Sequence, residues 1–155
     1  MDMYEQKKYD FVHNCKIPYL AMAGVVPEVV EKNHVRFRLP VEPTHMNHVG
    51  IVYAGSYFVV GESAGATLIW ACYAESGKTY TPIIANVTID YKKPCKTDLI
   101  IDMSMSEEEA AEKIKPIDER GRGRYPLDIP VCDTEGNECA VLHMTYYLYA
   151  GAAKL

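Results

Sequence analysis

A single carboxylate interrupts the longest apolar stretch of this sequence. Between Val49 and Ala74, Glu62 is the only charged residue. Ionising a carboxylate in apolar surroundings costs so much free energy that such groups are usually either paired or used in chemistry. Glu62 is therefore a candidate general base or nucleophile. The alternative is a hydrogen-bonded, inert carboxylate at a helix–helix or subunit interface.

A second candidate feature is the start of the helix that we predict to carry Glu62. Gly55 and Ser56 open this helix, and the first N–H groups of a helix have no partner within it. Such amides stabilise developing negative charge, and a glycine lets a ligand approach the backbone. The alternative is a glycine that only reverses the chain. Glu62 lies seven residues after Gly55, which is about 10 Å along one helix and a large separation for two groups acting on one bond.

Polar side chains in the loop before this helix have candidate roles as well. Asn47 could hold a water or a carbonyl group through its amide, or it could be a turn residue. Tyr53 offers a phenolic donor, although it is no base at neutral pH, and it could equally be a core aromatic. His45 and His48 have the spacing of a metal pair, but no third ligand is in reach by sequence, and we predict no metal site.

Basic residues cluster just after a predicted strand in this otherwise acidic chain. Lys92, Lys93 and Lys96 could contact phosphate groups, or they could form a solvated surface turn. Arg122 and Arg124 are weaker candidates for the same role. The predicted substrate-binding residues are Tyr53, His48, Asn86, Lys92 and Lys93.

Length and composition limit the class of protein. The 155 residues contain 16 Lys and Arg against 21 Asp and Glu, a net charge of −5, with 48% hydrophobic and 24% charged residues. These values fit one globular domain and argue against disorder and against binding to a phosphate backbone. Five scattered cysteines without a Cys-x-x-Cys pair, and no apolar run at Met1–Lys8, predict a cytoplasmic protein with reduced thiols. A carboxylate in the middle of the apolar stretch 49–74 argues against a membrane span.

The periodicity of the sequence predicts a single α+β domain over 1–155, with a helical insertion at about 106–124. The stretch Gly55–Ala74 is apolar all round, which indicates a buried helix, and its small residues would allow a neighbouring backbone to approach. A helix buried on every side requires a curved sheet around it. The other predicted elements are a short helix over Asp2–Asn14, a hairpin of Tyr19–Glu31 (with a bulge or edge at Pro27) and His34–Val41, strands over Pro82–Tyr91, Asp98–Met105, Tyr125–Cys132 and Asn137–Tyr149, and a helix capped by Ser106 that ends in a flexible exit at Gly121–Arg124. In the strand Pro82–Tyr91, strict alternation places Ile83, Ala85, Val87, Ile89 and Tyr91 on the apolar face.

The motif Asn47-His48-Val49-Gly50-Ile51-Val52-Tyr53-Ala54-Gly55, followed by Glu62, resembles that of the hot-dog-fold acyl-CoA thioesterases of the phenylacetic-acid-degradation type. In that family an Asn-x-x-Gly precedes a His-Gly-Gly at the helix start, and an acidic residue follows nine positions after the His. Here Asn47, Gly50, Gly55 and Glu62 match. Tyr53 stands in place of the His and Ala54 in place of the first Gly. Downstream, the segment Ile89–Pro94 with Thr97-Asp98 is similar to the family's strand end.

The resemblance implies a curved antiparallel sheet of about six strands wrapped around a long central helix. It further implies hydrolysis of acyl-CoA without a cofactor, in a homodimer or a dimer of dimers whose site combines Glu62 of one subunit with the helix start of the other. Glu62 would then be the base or nucleophile, Gly55 and Ser56 the oxyanion site, and Asn47 the group that orients water. Two alternatives stay open: a non-catalytic acyl-CoA-binding protein, favoured by Tyr53, and a dehydratase that uses His48 and Glu62, which are fourteen positions apart.

Overall fold

The computed structural model describes residues 1–152 of the chain, so the last three residues of the predicted domain lie outside the described part. Six strands form one antiparallel sheet in the order β1-β2-β4-β5-β6-β3. The elements are α1 (Met3–His13), α2 (Pro18–Ala23), β1 (Val26–Glu31), β2 (His34–Leu39), α3 (Ala54–Tyr73), β3 (Tyr80–Tyr91), β4 (Leu99–Ser104), α4 (Glu107–Arg120), β5 (Arg122–Cys132) and β6 (Glu138–Ala150).

The sheet is curved and α3 packs against it, which confirms the predicted hot-dog fold class. The alternation predicted for β2 is correct, because Val35, Phe37 and Leu39 are fully buried. The predicted bulge at Pro27 is present, since the pairing of β1 with β2 shifts register between Pro27 and Val29. Local sequence was sufficient for both features. Alternation is a property of neighbouring residues, and a proline lacks the N–H that regular strand pairing needs.

Helix α3 is the centre of the core, and it approaches β6 very closely. A Cβ atom at Gly61 would lie 2.4 Å from Leu142 Cδ2, and one at Gly65 would lie 2.3 Å from the Tyr146 hydroxyl. The predicted close approach is therefore made by side chains of the sheet rather than by a neighbouring backbone. Both glycines are required because any side chain would occupy space that the sheet already fills.

The predicted first strand is partly wrong. Residues Pro18–Ala23 form α2 rather than extended chain, with Pro at its start and Gly24 in the left-handed conformation (φ 74°) at its end. Pro is favoured at the first helical position and Gly just after the last, and together they define a short helix. Leu20 anchors this helix in the core, with 5% of its surface exposed.

Strand β3 also departs from the prediction. A register shift between Ile84 and Asn86 marks a bulge, so that Ile84, Val87 and Ile89 pack on the core while Ala85 is exposed. A bulge adds one residue to a strand and reverses the faces on either side of it, which alternation alone does not reveal. Tyr91, predicted on the apolar face, is half exposed.

The predicted insertion helix is α4. The Ser106 hydroxyl caps it by accepting a hydrogen bond from the Glu109 N–H at 3.1 Å, as the sequence indicates. The predicted flexible exit is wrong, because Gly121 ends the helix at φ 75° and Arg122–Arg124 already belong to β5. A left-handed glycine turns the chain directly from helix into strand.

On the outer face of the sheet, His143 bridges two carboxylates, with Asp128 at 2.7 Å from Nδ1 and Asp90 at 3.0 Å from Nε2. These hydrogen bonds raise the pKa of His143 above its ordinary 6.5. We expect an NMR titration to show this upward shift, and Asp128→Asn to reverse much of it. Because the folded-state pKa is raised, the contribution to stability is present at acid pH and is lost as the pH rises through that pKa. A titration of His143 at its ordinary value in the wild type would contradict the bridge.

No helix within residues 1–152 is long and apolar enough to cross a membrane. The cytoplasmic location stays a prediction.

Candidate active site

Glu62 lies at the middle of α3, on the one face of this helix that the sheet does not cover. Phe58, Val59, Ala66 and Trp70 share this face and are half-buried like Glu62. The Glu62 backbone carbonyl accepts a hydrogen bond from the buried Tyr146 hydroxyl at 2.8 Å. This bond fixes the helix against β6.

Burial raises the pKa of the Glu62 carboxyl above its ordinary 4.5, and no ion pair or hydrogen bond from another residue of the described chain opposes this shift. A carboxyl group with a raised pKa is a stronger base when it is ionised. The predicted chemical character of Glu62 therefore has a physical cause in the structure: desolvation without a compensating partner.

We expect Glu62→Gln to raise the melting temperature near neutral pH, because the amide does not bear the desolvation cost of a charge. The pKa of Glu62 is raised on folding, so the wild type is penalised above the ordinary carboxyl pKa and not below it. The difference between the two proteins should therefore vanish as the pH falls below about 4. Thermal melts from pH 3 to 8 measure this; a lower melting temperature for the variant at neutral pH would mean that Glu62 has a stabilising partner.

The start of α3 presents free amides, although not the predicted pair. The Ser56 N–H donates to the Tyr53 carbonyl at 3.0 Å, and no side chain caps the helix. Among residues 1–152, the first-turn amides without an acceptor are therefore those of Ala54 and Gly55. A first-turn N–H that closes a tight turn onto the residue before the helix is no longer available to a ligand. This places the candidate oxyanion site one residue earlier than the sequence suggested.

Three tyrosines surround the start of this helix. The Tyr91 hydroxyl donates to the Ala54 carbonyl at 2.8 Å, and the Tyr57 ring meets the Tyr91 ring edge to face at 5.3 Å. Tyr53 is 59% exposed, and its ring lies across Gly55, where a Cβ atom would be 2.7 Å from Cε1. Tyr57 and Tyr91 were missed by the sequence-based prediction. The sequence signal for Tyr91 was its place in the segment Ile89–Pro94, directly before the lysine cluster.

Asn47 organises the loop that leads into α3. Its side-chain oxygen accepts hydrogen bonds from the backbone N–H groups of Val49 at 3.0 Å and Ile51 at 3.2 Å. The backbone N–H of Asn47 donates to the Ile51 carbonyl at 2.8 Å. This is the turn role that the sequence left open. The side-chain oxygen Oδ1 is therefore occupied, so only the side-chain nitrogen Nδ2 is available to orient a water or a carbonyl.

The two histidines of the loop do not form a metal pair. His45 Nδ1 accepts from the Glu42 N–H at 2.9 Å, and its Nε2 lies 2.8 Å from the Ala23 carbonyl, so both ring nitrogens are used in the fold. His48 is exposed in the loop and makes no hydrogen bond or ion pair within residues 1–152. The part of the chain that the structure describes has no cluster of three residues able to hold a metal ion.

The basic residues are divided between the two ends of the sheet. Lys92 pairs with Glu138, and Lys93 lies 3.9 Å from Asp133, both directly after Tyr91 and thus near the start of α3. Arg122 pairs with Tyr149, whereas Tyr91 pairs with Ala140 on the same strand. Nine residues of β6 span about 30 Å, which excludes the predicted secondary role of Arg122 and Arg124 at this site within one chain.

Asn86 lies at the bulge of β3, exposed and opposite Thr145 of β6. β3 pairs with β6 on one side only and is an edge of the sheet. Within residues 1–152, Asn86 therefore lies on a strand whose other side is open. Two surface cavities of about 300 Å³ and 210 Å³ lie elsewhere, against α4 and beside Arg36, and neither is lined by Glu62.

A family described as "Domain of unknown function (DUF4442)" matches residues 7–148. The chain belongs to this family. No curated protein matches the sequence. Among solved structures, this DUF4442 protein is similar to a protein of unknown function from Pseudomonas aeruginosa, described as a probable thioesterase, with 26% identity, a TM-score of 0.82 and coverage of 97% of this chain and 98% of the other.

Two further structures extend the similarity at the level of the fold. A thioesterase from Haemophilus influenzae has 14% identity and a TM-score of 0.68, and the match covers 99% of this chain and 95% of that one. A hypothetical thioesterase from Streptococcus pneumoniae, solved with coenzyme A, has 15% identity and a TM-score of 0.64, with coverage of 88% and 96%. The hot-dog fold and the similarity to thioesterases, both expected from the sequence, are confirmed.

Proposed function

We propose that this protein hydrolyses acyl-CoA thioesters, with Glu62 as the base or nucleophile. The observation that supports this most is the half-buried Glu62 carboxylate on the uncovered face of the central helix. Burial raises its pKa, and within residues 1–152 it has no hydrogen-bond or ion-pair partner. Structures of the same fold described as thioesterases, one of them solved with coenzyme A, support the substrate class.

The proposed site is shared between two subunits. Glu62 and the Ala54 and Gly55 amides lie about 10 Å apart on one helix, too far to act on the same carbonyl. Two features of residues 1–152 favour a second copy: β3 has one edge without a paired strand, and the sheet does not cover the face of α3 that bears Glu62. A homodimer that pairs these surfaces would bring Glu62 of one subunit to the helix start of the other.

In the proposed reaction, the free amides at the start of α3 polarise the thioester carbonyl and stabilise the negative charge that develops on its oxygen. Glu62 removes a proton from a water that attacks the carbonyl carbon, and the amide of Asn47 orients this water. The tetrahedral intermediate collapses, the carbon–sulfur bond breaks, and the thiolate of coenzyme A takes up the proton. In the alternative route Glu62 attacks directly, and water then hydrolyses the mixed anhydride. In this proposal Lys92 and Lys93 exchange Glu138 and Asp133 for the phosphates of coenzyme A.

One observation favours a second function, acyl-CoA binding without hydrolysis: Tyr53 replaces the histidine of the resembling family and covers Gly55 with its ring. Nothing in residues 1–152 favours a dehydratase, since His48 is exposed and makes no hydrogen bond or ion pair there.

The test is release of free thiol from a panel of acyl-CoAs, measured with a thiol reagent, together with the molecular mass in solution. Turnover by a dimer or larger assembly supports the proposal. Saturable acyl-CoA binding without thiol release would overturn it in favour of the binding protein, and turnover by a monomer would overturn the shared site.

A further inference from the structure

The uncovered face of α3 continues beyond Glu62 toward the end of the helix. Phe58, Glu62, Ala66 and Trp70 are spaced four residues apart and therefore lie in line along one face. Apart from Glu62 these residues are apolar, and Ala66 leaves room between the carboxylate and Trp70. This row forms an apolar path that starts at the proposed reacting group.

Helix α1 closes the far end of this path. The Tyr4 ring meets the Trp70 ring edge to face, with centroids 5.6 Å apart, and the Lys7 ammonium lies 5.0 Å from the centre of the Trp70 ring. The Tyr4 hydroxyl donates to Glu75 at 3.1 Å, and Phe11 packs edge to face on Phe37 of β2 at 5.4 Å. α1 is therefore attached at both ends, and Tyr4 is held in place over Trp70.

We propose that the acyl chain lies along this row of α3, and that Tyr4 and Trp70 form the end wall that limits the length of the acyl group. This inference rests on the proposed function, because it takes Glu62 as the position of the thioester. Eight residues of helix separate Glu62 from Trp70, which is about 12 Å. With about 1.3 Å per methylene along an extended chain, this space suits an acyl group of medium length.

A longer chain meets two obstacles at this wall. First, it must displace the Tyr4 ring, whose hydroxyl is bonded to Glu75. Second, it must bring hydrocarbon against the Lys7 ammonium, which is already partly desolvated. This burial also lowers the pKa of Lys7. Removing the Tyr4 ring opens the wall without touching Glu62 or the start of α3.

The experiment compares kcat/KM across saturated acyl-CoAs from butanoyl to palmitoyl for the wild type and Tyr4→Ala. We expect a medium-chain optimum for the wild type. In Tyr4→Ala we expect the ratio of kcat/KM for dodecanoyl-CoA to that for hexanoyl-CoA to rise about tenfold. A tenfold change is roughly the free energy of burying two additional methylenes. Trp70→Ala should move the ratio in the same direction, and circular dichroism and thermal melts check that both variants fold.

Two controls separate the wall from a general effect on α1. Tyr4→Phe keeps the ring and loses only the bond to Glu75, so it should restore the wild-type order of chain lengths. Tyr9→Ala removes a ring of the same size from the same helix, but Tyr9 is 46% exposed and stacks on His13 rather than on α3. For Tyr9→Ala, the ratio of dodecanoyl to hexanoyl kcat/KM should therefore equal that of the wild type.

The outcomes distinguish this inference from the proposed function. Hydrolysis by both proteins with an unchanged ratio in Tyr4→Ala would overturn the inference alone. If the wild type hydrolyses no acyl-CoA, the proposed function fails, and the affinities of alkyl-CoA thioethers of increasing chain length then test the wall. If the Kd of these thioethers depends on chain length equally in the wild type and in Tyr4→Ala, the proposed end wall is wrong.

Discussion

Glu62→Gln is expected to lower kcat for acyl-CoA hydrolysis by about 10²–10⁴-fold, the usual contribution of a general base. The amide keeps the size of the side chain but can neither accept the proton of the attacking water nor attack the carbonyl carbon. KM should change little, because Glu62 acts on the reacting atoms rather than on the nucleotide. The measurement is steady-state thiol release from the best acyl-CoA of the panel.

The matched control is Glu112→Gln, the same substitution at an exposed position of α4. It should leave kcat and KM at their wild-type values. The expected rise in thermal stability of Glu62→Gln serves as a second control, since it separates a loss of chemistry from a loss of folding. If Glu62→Gln retains wild-type kcat, Glu62 is neither base nor nucleophile and the proposed mechanism is wrong.

Gly65→Ala should destabilise the fold by about 1–3 kcal/mol. The new methyl group would lie 2.3 Å from the Tyr146 hydroxyl and 2.8 Å from Ile129 Cδ1, and both of these side chains are fully buried. Forcing a group into a filled core costs about 1–3 kcal/mol. Displacing Tyr146 adds about 1 kcal/mol for its hydrogen bond to the Glu62 carbonyl. The higher helix propensity of alanine stabilises the variant by about 1 kcal/mol and offsets part of this loss.

For a domain of this size, that loss corresponds to a melting temperature lower by roughly 2–12 °C, which calorimetry or a thermal melt measures. Gly55→Ala is the control, because its methyl group would also meet a tyrosine ring, at 2.7 Å, but Tyr53 is 59% exposed and can swing into solvent. Its melting temperature should stay within a few degrees of the wild type. Equal losses in both variants would show that α3 tolerates no methyl group for reasons unrelated to β6.

Periodicity and end signals in the sequence determined the fold class. Val35, Phe37 and Leu39 alternate, the apolar stretch around Glu62 has helical length, and Ser106 stands where a cap is needed; each is a property of neighbouring residues and survives in the structure. Glu62 was identifiable for a related reason: a charge in an apolar helix needs an explanation wherever the helix packs.

What the tertiary structure decided depends on contacts between distant residues. The bulge in β3 that turns Ala85 outward arises from pairing with β6. The position of Tyr91 over Ala54 and that of Tyr4 over Trp70 join residues 37 and 66 positions apart. A sequence pattern reports which face a side chain occupies within its own element. Which other element meets that face is set by packing the whole chain, and the tyrosines around α3 became visible only there.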